Sequence, residues 1–438
     1  MRKSLLFTLL LTVAMFAACR KESPEVVHPS ENSYTIYTEN YWSNLFDNYW
    51  SAMSQSYCFW RYESLDWDAI YDEYIVKFAE CDALCMGEPD EYFVESSGLL
   101  NLSGDTICYG DSIAIMQFVD IVHQLTDYHY ILTLHDVDVS IGSRARVEVY
   151  SRDYYHAYND VGMSAGLNHI EDFERSTGRI TDYMSGEYLV DEGMGENLNM
   201  VSYLIDGSIP YLYFSSFAIC SWEENEENPG FDIPIDPSDD LKSEVLDNFE
   251  SLVRNTPNMK GAIIDLRANG GGYNLDLDIV LGRFVNENEA LHFGYTQHKS
   301  GPNRYDYTES VPCYINGTSQ EESYLFPIVI LADLWSVSMA EFTTIASRSF
   351  SDRSIMVGER TFGAISSLCA DIYTAGGIIE TDNFEIYTAS CLFYDIDMNF
   401  YEGVGVTPDI EVLFEESTWG TTTTDRQKEV AIDYIKGL

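Results

Sequence analysis

Positive charge is scarce in this chain of 438 residues. It carries 24 Lys and Arg against 72 Asp and Glu, which gives a formal net charge of −48 at pH 7. Binding to nucleic acid or to an anionic membrane surface draws on clustered Lys and Arg side chains. The composition therefore argues against both partners, and a solubilising acidic surface is the simpler interpretation.

Long apolar runs are also missing. The apolar stretch Leu5–Met15 is shorter than the roughly 18 to 20 residues that a membrane-spanning helix needs. No later segment comes close to that length, so no transmembrane helix is expected.

The chain also lacks the cysteine spacings of zinc sites and small disulfide frameworks, and the glycine spacing of nucleotide-binding loops. Of the nine cysteines, those after Cys19 lack the close paired spacing of a zinc site or of a small disulfide framework. Cys81 and Cys85 could share one helix face, but buried thiols are the simpler interpretation. The glycine run 270–272 lacks the spacing of a dinucleotide or Walker loop. We therefore expect no metal and no cofactor.

The N-terminus has the layout of a secretory signal. Arg2 and Lys3 precede the apolar stretch, and small residues lead to Cys19. This resembles the cleavage site of bacterial lipoproteins, in which the cysteine is lipid-modified and becomes the new N-terminus. Residues 1–18 would be removed, Cys19 would be the anchor and residues 19–33 the tether, on either face of the outer membrane of the cell envelope. Ordinary secretion, with Cys19 incidental, is the alternative.

The rest of the chain divides into three parts. Residues 34–115 are rich in aromatic residues at three-to-four spacing, which predicts a small helical domain. Residues 116–200 begin with a helix that ends near Thr126 and then become polar and punctuated by glycine. From 201 to 438 strands and helices alternate, which predicts an α/β core built on a largely parallel sheet.

Two strand ends in this core carry unusual residues. The segment Asp265–Gly272 places three consecutive glycines after a buried strand, where backbone N–H groups can approach a ligand closely. The segment Leu331–Phe342 places Ser338 after a strand and at the start of a helix, next to backbone amides without helical partners. From spacing alone, Ser338 is as well explained as a helix cap, with Glu341 completing a capping box.

Four motifs follow one another: D-L-R-x-N-G-G-G, S-x-x-E, V-G-E-x-T-x-G and G-V-x-P-D-I, at residues 265–272, 338–341, 357–363 and 405–410. Their order resembles the carboxy-terminal-processing and tricorn-core serine peptidases, the tail-specific protease family. The resemblance covers residues 209–415. It implies a ClpP/crotonase-like catalytic core with a largely parallel sheet, peptides or unfolded proteins as substrate, and Ser338 as the nucleophile.

The resemblance also indicates which base activates the serine. Processing proteases carry a lysine directly after V-G-E-x-T-x-G, where this chain has Ala364, so a Ser–Lys dyad is not available. The tricorn-like branch uses a histidine, and L-T-D-Y-H at 125–129 resembles its L-x-D-x-H segment, which implies His129 as the general base. Glu402 precedes G-V-x-P-D-I, as in that branch, and would orient the base. A tyrosine replaces the branch's serine beside the histidine, so Asp127 stays a rival for this role.

Ordinary acyl-transfer chemistry then gives each group a task. His129 takes the proton of Ser338 during attack on the peptide carbonyl and returns it to the leaving amine. The amide of Met339 and one amide of the glycine run, most simply Gly271 but with Gly270 beside it, would bind the oxyanion.

Two other functions compete with peptide hydrolysis. An inactive peptide-binding lipoprotein of the same fold is favoured by the missing lysine and by the tyrosine beside His129. A nutrient-binding lipoprotein with an aromatic platform is the second, and the ordered motifs argue against it. Residues 140–200 are too few, and lack the carboxylate-binding loop, for the complete PDZ domain that processing proteases usually carry.

Overall fold

The computed structural model describes residues 40–85, 109–143, 189–194, 198–223, 233–235, 241–367, 377–413 and 425–438. The signal segment, Cys19, the tether and most of residues 140–200 lie outside these ranges, so the expectations about them, including the missing PDZ domain, stay predictions. Among the described residues, no helix has the length and apolar character that crossing a membrane requires.

The helices are α1 (Tyr41–Ser56), α2 (Trp67–Cys85), α3 (Tyr109–Val122), α4 (Leu241–Asn255), α5 (Asp276–Val280), α6 (Met339–Ser347) and α7 (Arg426–Gly437). The strands are β1 (Ile131–Leu134), β2 (Val139–Gly142), β3 (Leu189–Met194), β4 (Leu198–Ile205), β5 (Ile209–Phe214), β6 (Ser221–Glu223), β7 (Ile233–Ile235), β8 (Ala262–Asp265), β9 (Ala290–His298), β10 (Val311–Asn316), β11 (Ile328–Ala332), β12 (Ile355–Gly358), β13 (Ile379–Glu380), β14 (Phe384–Tyr387), β15 (Cys391–Asp395) and β16 (Ile410–Glu411).

The N-terminal helices α1, α2 and α3 pack through their aromatic residues. Spacing of three or four places these rings on one side of each helix. Trp42, Phe46 and Tyr49 are fully buried, and the rings of Phe46 and Phe78 stack with centroids 4.7 Å apart. The predicted helical N-terminal region is confirmed, although α3 ends before its expected end near Thr126.

A seven-stranded sheet forms the centre of the remaining chain, in the order β16-β12-β11-β8-β5-β4-β3. The neighbours from β16 to β5 are parallel, and β4 and β3 run antiparallel at one edge. Every residue of β8 and β11 is buried, because helix α4 covers one face of the sheet and helix α7 the other. The expectation of a largely parallel α/β sheet is confirmed, but the antiparallel β3–β4 pair was missed.

A second sheet joins distant parts of the chain. Its order is β13-β14-β1-β2, and all its neighbours are antiparallel. Ile131, just after the expected catalytic histidine, pairs with Tyr387 near the end of the core. The segment that carries His129 is therefore held against the α/β core by backbone hydrogen bonds.

The first residues of the D-L-R motif hold the closing helix. Arg267 is 1% exposed and donates to Asp265, to Asp425 at the N-terminus of α7, and to Gln427 in the first turn of that helix. A buried guanidinium is tolerated because these carboxylates face it. This part of the motif therefore stabilises the fold, whereas the glycines that follow it lie at the candidate site.

Candidate active site

Ser338 lies between β11 and α6 in an unusual backbone conformation. Its φ is +55° and its ψ −114°, a combination that residues with a side chain rarely adopt and that surrounding contacts must maintain. Its side chain is half-buried. An ordinary N-cap residue has an extended backbone, so helix capping does not by itself explain this conformation.

Glu341 holds the backbone around Ser338. Its Oε2 accepts hydrogen bonds from the N–H groups of Ser338 and Ala364 at 3.1 and 2.8 Å. Its Oε1 accepts from the Thr361 hydroxyl and from the N–H of Gly363 at 2.5 and 2.7 Å. Burial raises the pKa of this carboxyl to about 7, against the four hydrogen bonds, which lower it. The sequence assigned Glu341 a capping role, and the structure adds a contact with the loop that follows β12.

Replacing Glu341 by glutamine is expected to change how stability depends on pH. In the folded protein the Glu341 carboxyl keeps its proton up to about pH 7, whereas in the unfolded chain it loses the proton near its ordinary pKa of 4.5. The protonated carboxyl therefore contributes its full stabilisation below about pH 4.5, and this contribution is lost by about pH 7. Between these values the wild type should lose up to about 3 kcal/mol of unfolding free energy that Glu341→Gln does not lose.

Urea unfolding of both proteins at acidic and at mildly alkaline pH measures this difference. Glu309→Gln, a substitution at an exposed position, is the matched control. Its unfolding free energy should depend on pH as that of the wild type does. A stability difference between wild type and Glu341→Gln that is the same at every pH would contradict the prediction.

The glycine run packs directly on Ser338. Gly271 has a φ of +89°, and a Cβ atom there would lie 2.7 Å from Ser338 Cβ and 3.0 Å from the Met339 nitrogen. The amide of Met339, in the first turn of α6, has no acceptor within the helix. The Gly271 N–H donates to Asn269 Oδ1 at 2.9 Å, while Gly270 is exposed. The structure thus brings together the three residues expected to surround an oxyanion.

Asn269 is a further residue of the site, and the sequence analysis did not predict it. It is fully buried, and its side chain accepts from Gly271 and donates to the Phe214 carbonyl at 2.9 Å. Its own carbonyl accepts from the Val337 N–H at 2.9 Å. Through its side chain and its backbone carbonyl, this one residue therefore links the glycine run to the loop before Ser338. Its position between Arg267 and the glycine run was the sequence signal that could have indicated this role.

His129 lies beside two buried carboxylates. Its Nδ1 is 3.8 Å from Glu402 Oε1, and its backbone N–H donates to Asp127 Oδ1 at 2.7 Å. Asp127 Oδ2 accepts from the hydroxyl of Thr388 at 2.5 Å. The structure therefore brings His129, Asp127 and Glu402 together, with Glu402 facing the ring and Asp127 bonded to the backbone.

Burial disfavours negative charge in this cluster. It raises the pKa of Asp127 to about 6. Burial also raises the pKa of Glu402 well above its ordinary value, and the charge of Asp127 raises it further. Two carboxylates held this close share a proton over part of the pH range. The pair then carries one negative charge, which a protonated His129 would neutralise.

The loop that follows β12 connects the serine and the histidine. Gly363 and Ala364 donate to Glu341, next to Ser338, whereas Ile365 and Ser366 donate to Glu402 Oε2 at 3.1 and 2.9 Å. Four consecutive N–H groups of this loop therefore hold both acids, the first two binding Glu341 and the next two Glu402. Ala364, at the position of the missing lysine, is buried and uses its N–H in this way.

Apolar contacts join the same two halves. The ring of Tyr128 meets that of Phe362 edge to face, with centroids 5.4 Å apart. Tyr128 and Val337 both pack against the small cluster that contains Phe362. The residue before His129 and the residue before Ser338 thus share one apolar cluster, and Tyr128 has a packing role here.

A largely parallel sheet, a serine in a strained turn at a helix N-terminus and a glycine run packed on that serine therefore lie together in this structure. Residues 219–412 match the sequence model of peptidase family S41. The matched segment lies in the α/β core and contains Ser338 and Glu402, whereas Asp127 and His129 precede it. No curated protein sequence matches the chain.

Solved structures show the same fold over most of the chain. A candidate peptidase from Parabacteroides merdae is 20% identical, with 91% of this chain and 97% of the other covered and a TM-score of 0.55. Mature CPAF in complex with lactacystin is 13% identical, with 91% and 99% covered and a TM-score of 0.51. At these identities the similarity extends to the fold, and the roles of individual residues follow from the geometry of this chain.

Proposed function

We propose that this protein is a serine peptidase that hydrolyses peptides or unfolded proteins through an acyl-enzyme, with Ser338 as nucleophile and His129 as base. The observation that carries the proposal is the packing of the glycine run on Ser338, which has a positive φ and directly precedes the Met339 amide at the start of α6. A helix cap needs neither the strained conformation nor the adjacent glycines.

In the proposed reaction, His129 removes the proton of the Ser338 hydroxyl as the oxygen attacks the peptide carbonyl. The ring becomes positive, and Glu402, 3.8 Å from Nδ1, stabilises that charge and orients the ring. His129 then gives the proton to the leaving amine, and water releases the acyl group by the same steps.

The Met339 amide is the first proposed oxyanion donor. The second comes from the glycine run. Because the Gly271 N–H already donates to Asn269, it can serve only by sharing its hydrogen with the oxyanion, and the exposed Gly270 amide is the other candidate. Loss of one such donor costs about 10²- to 10³-fold in rate.

An inactive peptide-binding protein of the same fold is the second candidate. One observation favours it: the 3.8 Å between His129 Nδ1 and Glu402 Oε1 exceeds hydrogen-bonding distance. A base that is not oriented by its acid would leave the serine without activation. The same experiment separates the two functions.

Labelling of the purified protein with a fluorophosphonate probe tests the proposal. We expect the wild type and the exposed-serine control Ser300→Ala to be labelled, and Ser338→Ala and His129→Ala to remain unlabelled while folded by circular dichroism. Absence of labelling in folded wild type would reject the peptidase and favour the binding protein.

We also propose, from the sequence, that Cys19 carries a lipid after removal of residues 1–18 and holds the protein at the outer membrane. The apolar stretch and the small residues before Cys19 support this. Metabolic labelling with a fatty acid that persists in Cys19→Ala would reject the anchor.

A further inference from the structure

Asp127, His129 and Glu402 form a buried cluster of metal-binding side chains. Each offers one ligand atom, and these atoms all lie within 4.8 Å of one another. The three residues are 0%, 6% and 7% exposed. Within the described part of the chain, no other group of three His, Cys, Asp or Glu residues meets this geometry.

A second observation concerns one oxygen of Glu402. Oε2 accepts two backbone N–H groups, but Oε1 is buried and has no hydrogen-bond partner. It points toward His129 Nδ1, at 3.8 Å. A buried carboxylate oxygen without a donor is costly, and a cation between the two atoms would remove that cost.

The separations suit a small transition-metal ion. A triangle with sides of at most 4.8 Å has a centre no more than about 2.8 Å from its corners, so movements of about 0.7 Å would give Zn–N and Zn–O distances of about 2.0 to 2.2 Å. One imidazole with two carboxylates suits Zn²⁺, whereas Mg²⁺ and Ca²⁺ require six or more ligands, mostly oxygen. Asp127 keeps acceptor capacity, because a carboxylate has about four lone-pair positions.

We propose that Asp127, His129 and Glu402 form a site for Zn²⁺ or a similar transition metal, and that the bound ion switches off the peptidase. The regulatory part of this inference rests on the proposed function, whereas the binding part does not. The two buried carboxylates, once both are ionised, also supply the negative charge that a divalent cation requires.

Inhibition follows from the position of a proton. As a base, His129 carries its proton on Nδ1, toward Glu402, and keeps the Nε2 lone pair for the hydroxyl of Ser338. A metal bound at Nδ1 displaces the Nδ1 proton and uses the Nδ1 lone pair, so the displaced proton moves to the Nε2 lone pair and any carboxylic proton leaves to solvent. Nε2 then donates and cannot accept, and the serine is no longer activated.

Direct binding is tested with Co²⁺, whose visible absorption reports its ligands, in excess Mg²⁺ to occupy surface carboxylates. We expect one equivalent to bind to wild type, to Ser338→Ala and to the exposed-histidine control His135→Gln. In His129→Gln and Glu402→Gln, binding should weaken by more than the roughly 10- to 100-fold that loss of a ligand's supporting partner costs. Equal binding of Co²⁺ to all five proteins, or no tightly bound equivalent of Co²⁺ in any of them, would contradict the proposed metal site.

Regulation is tested by fluorophosphonate labelling before and after adding Zn²⁺ and then removing it with a chelator. Labelling should fall at least about tenfold with Zn²⁺ and return with the chelator. Unchanged labelling with Co²⁺ bound would overturn the regulatory role. Co²⁺ binding by Ser338→Ala together with no labelling of metal-free wild type would reject the proposed peptidase and leave the metal site in place.

Discussion

Alanine at position 271 is expected to abolish peptide hydrolysis and fluorophosphonate labelling. The added Cβ would lie 2.7 Å from Ser338 Cβ, 2.8 Å from the Val337 carbonyl oxygen and 3.0 Å from the Met339 nitrogen. These are backbone or short side-chain atoms that cannot rotate away, so the turn must move. The φ of +89° adds strain for any residue with a side chain.

A displacement of about 1 Å between reacting groups can cost about 10²-fold in rate, and the oxyanion donors would move as well. We therefore expect a loss of at least that size, measured as the labelling rate of folded protein. Strain of this kind should also lower the unfolding free energy by about 1 to 3 kcal/mol.

Gly270→Ala is the matched control, because a Cβ there meets no atom within 4 Å and the backbone N–H is retained. Its labelling rate should stay within about threefold of wild type. A Gly271→Ala protein that labels as fast as Gly270→Ala would show that the glycine run does not shape the reactive serine.

Glutamine at position 402 is expected to lower kcat/KM for peptide hydrolysis about 10²- to 10⁴-fold. Glutamine has nearly the shape of glutamate, and its amide oxygen can still accept from Ile365 and Ser366. It cannot carry the charge that stabilises a protonated His129. The loss should therefore appear in the rate, with little change in the unfolding free energy.

Asp127→Asn separates the two candidate orienting groups. The Asp127 carboxylate accepts from the backbone N–H of His129, from the hydroxyl of Thr388 and from the backbone N–H of Ala389. An asparagine oxygen can keep the first contact, and the hydroxyl can rotate to accept from the new amide. We expect a loss below about tenfold, and the reverse order of the two losses would assign the orienting role to Asp127.

Much of the core could be predicted because its sequence signals come from residues close together in the chain. Parallel strands buried on both faces are continuous apolar runs, and the helices between them have amphipathic periodicity. The alternating strands and helices expected from residue 201 onward are present, among them β5, α4 and β11. The strands β9 and β10 were missed, because the edge strand β10 is mostly exposed and lacks an apolar run.

The cluster around His129 could not be derived from local patterns. Asp127 and His129 precede β1, whereas Glu402 comes after β15, and only the motif order suggested that they meet. Their approach depends on the pairing of β1 with β14 and on the loop after β12, whose amides bind Glu341 and Glu402.

Local residue patterns specify the alternating α/β core, the serine at the start of α6 and the glycine run after β8, because each depends on residues close together in the chain. The strained turn of Ser338, the contact of Gly271 with it, and the role of Asn269 follow from the packing of distant segments. These depend on two neighbouring parallel strands ending at the same edge of the sheet, where close packing leaves room for glycine but not for a Cβ.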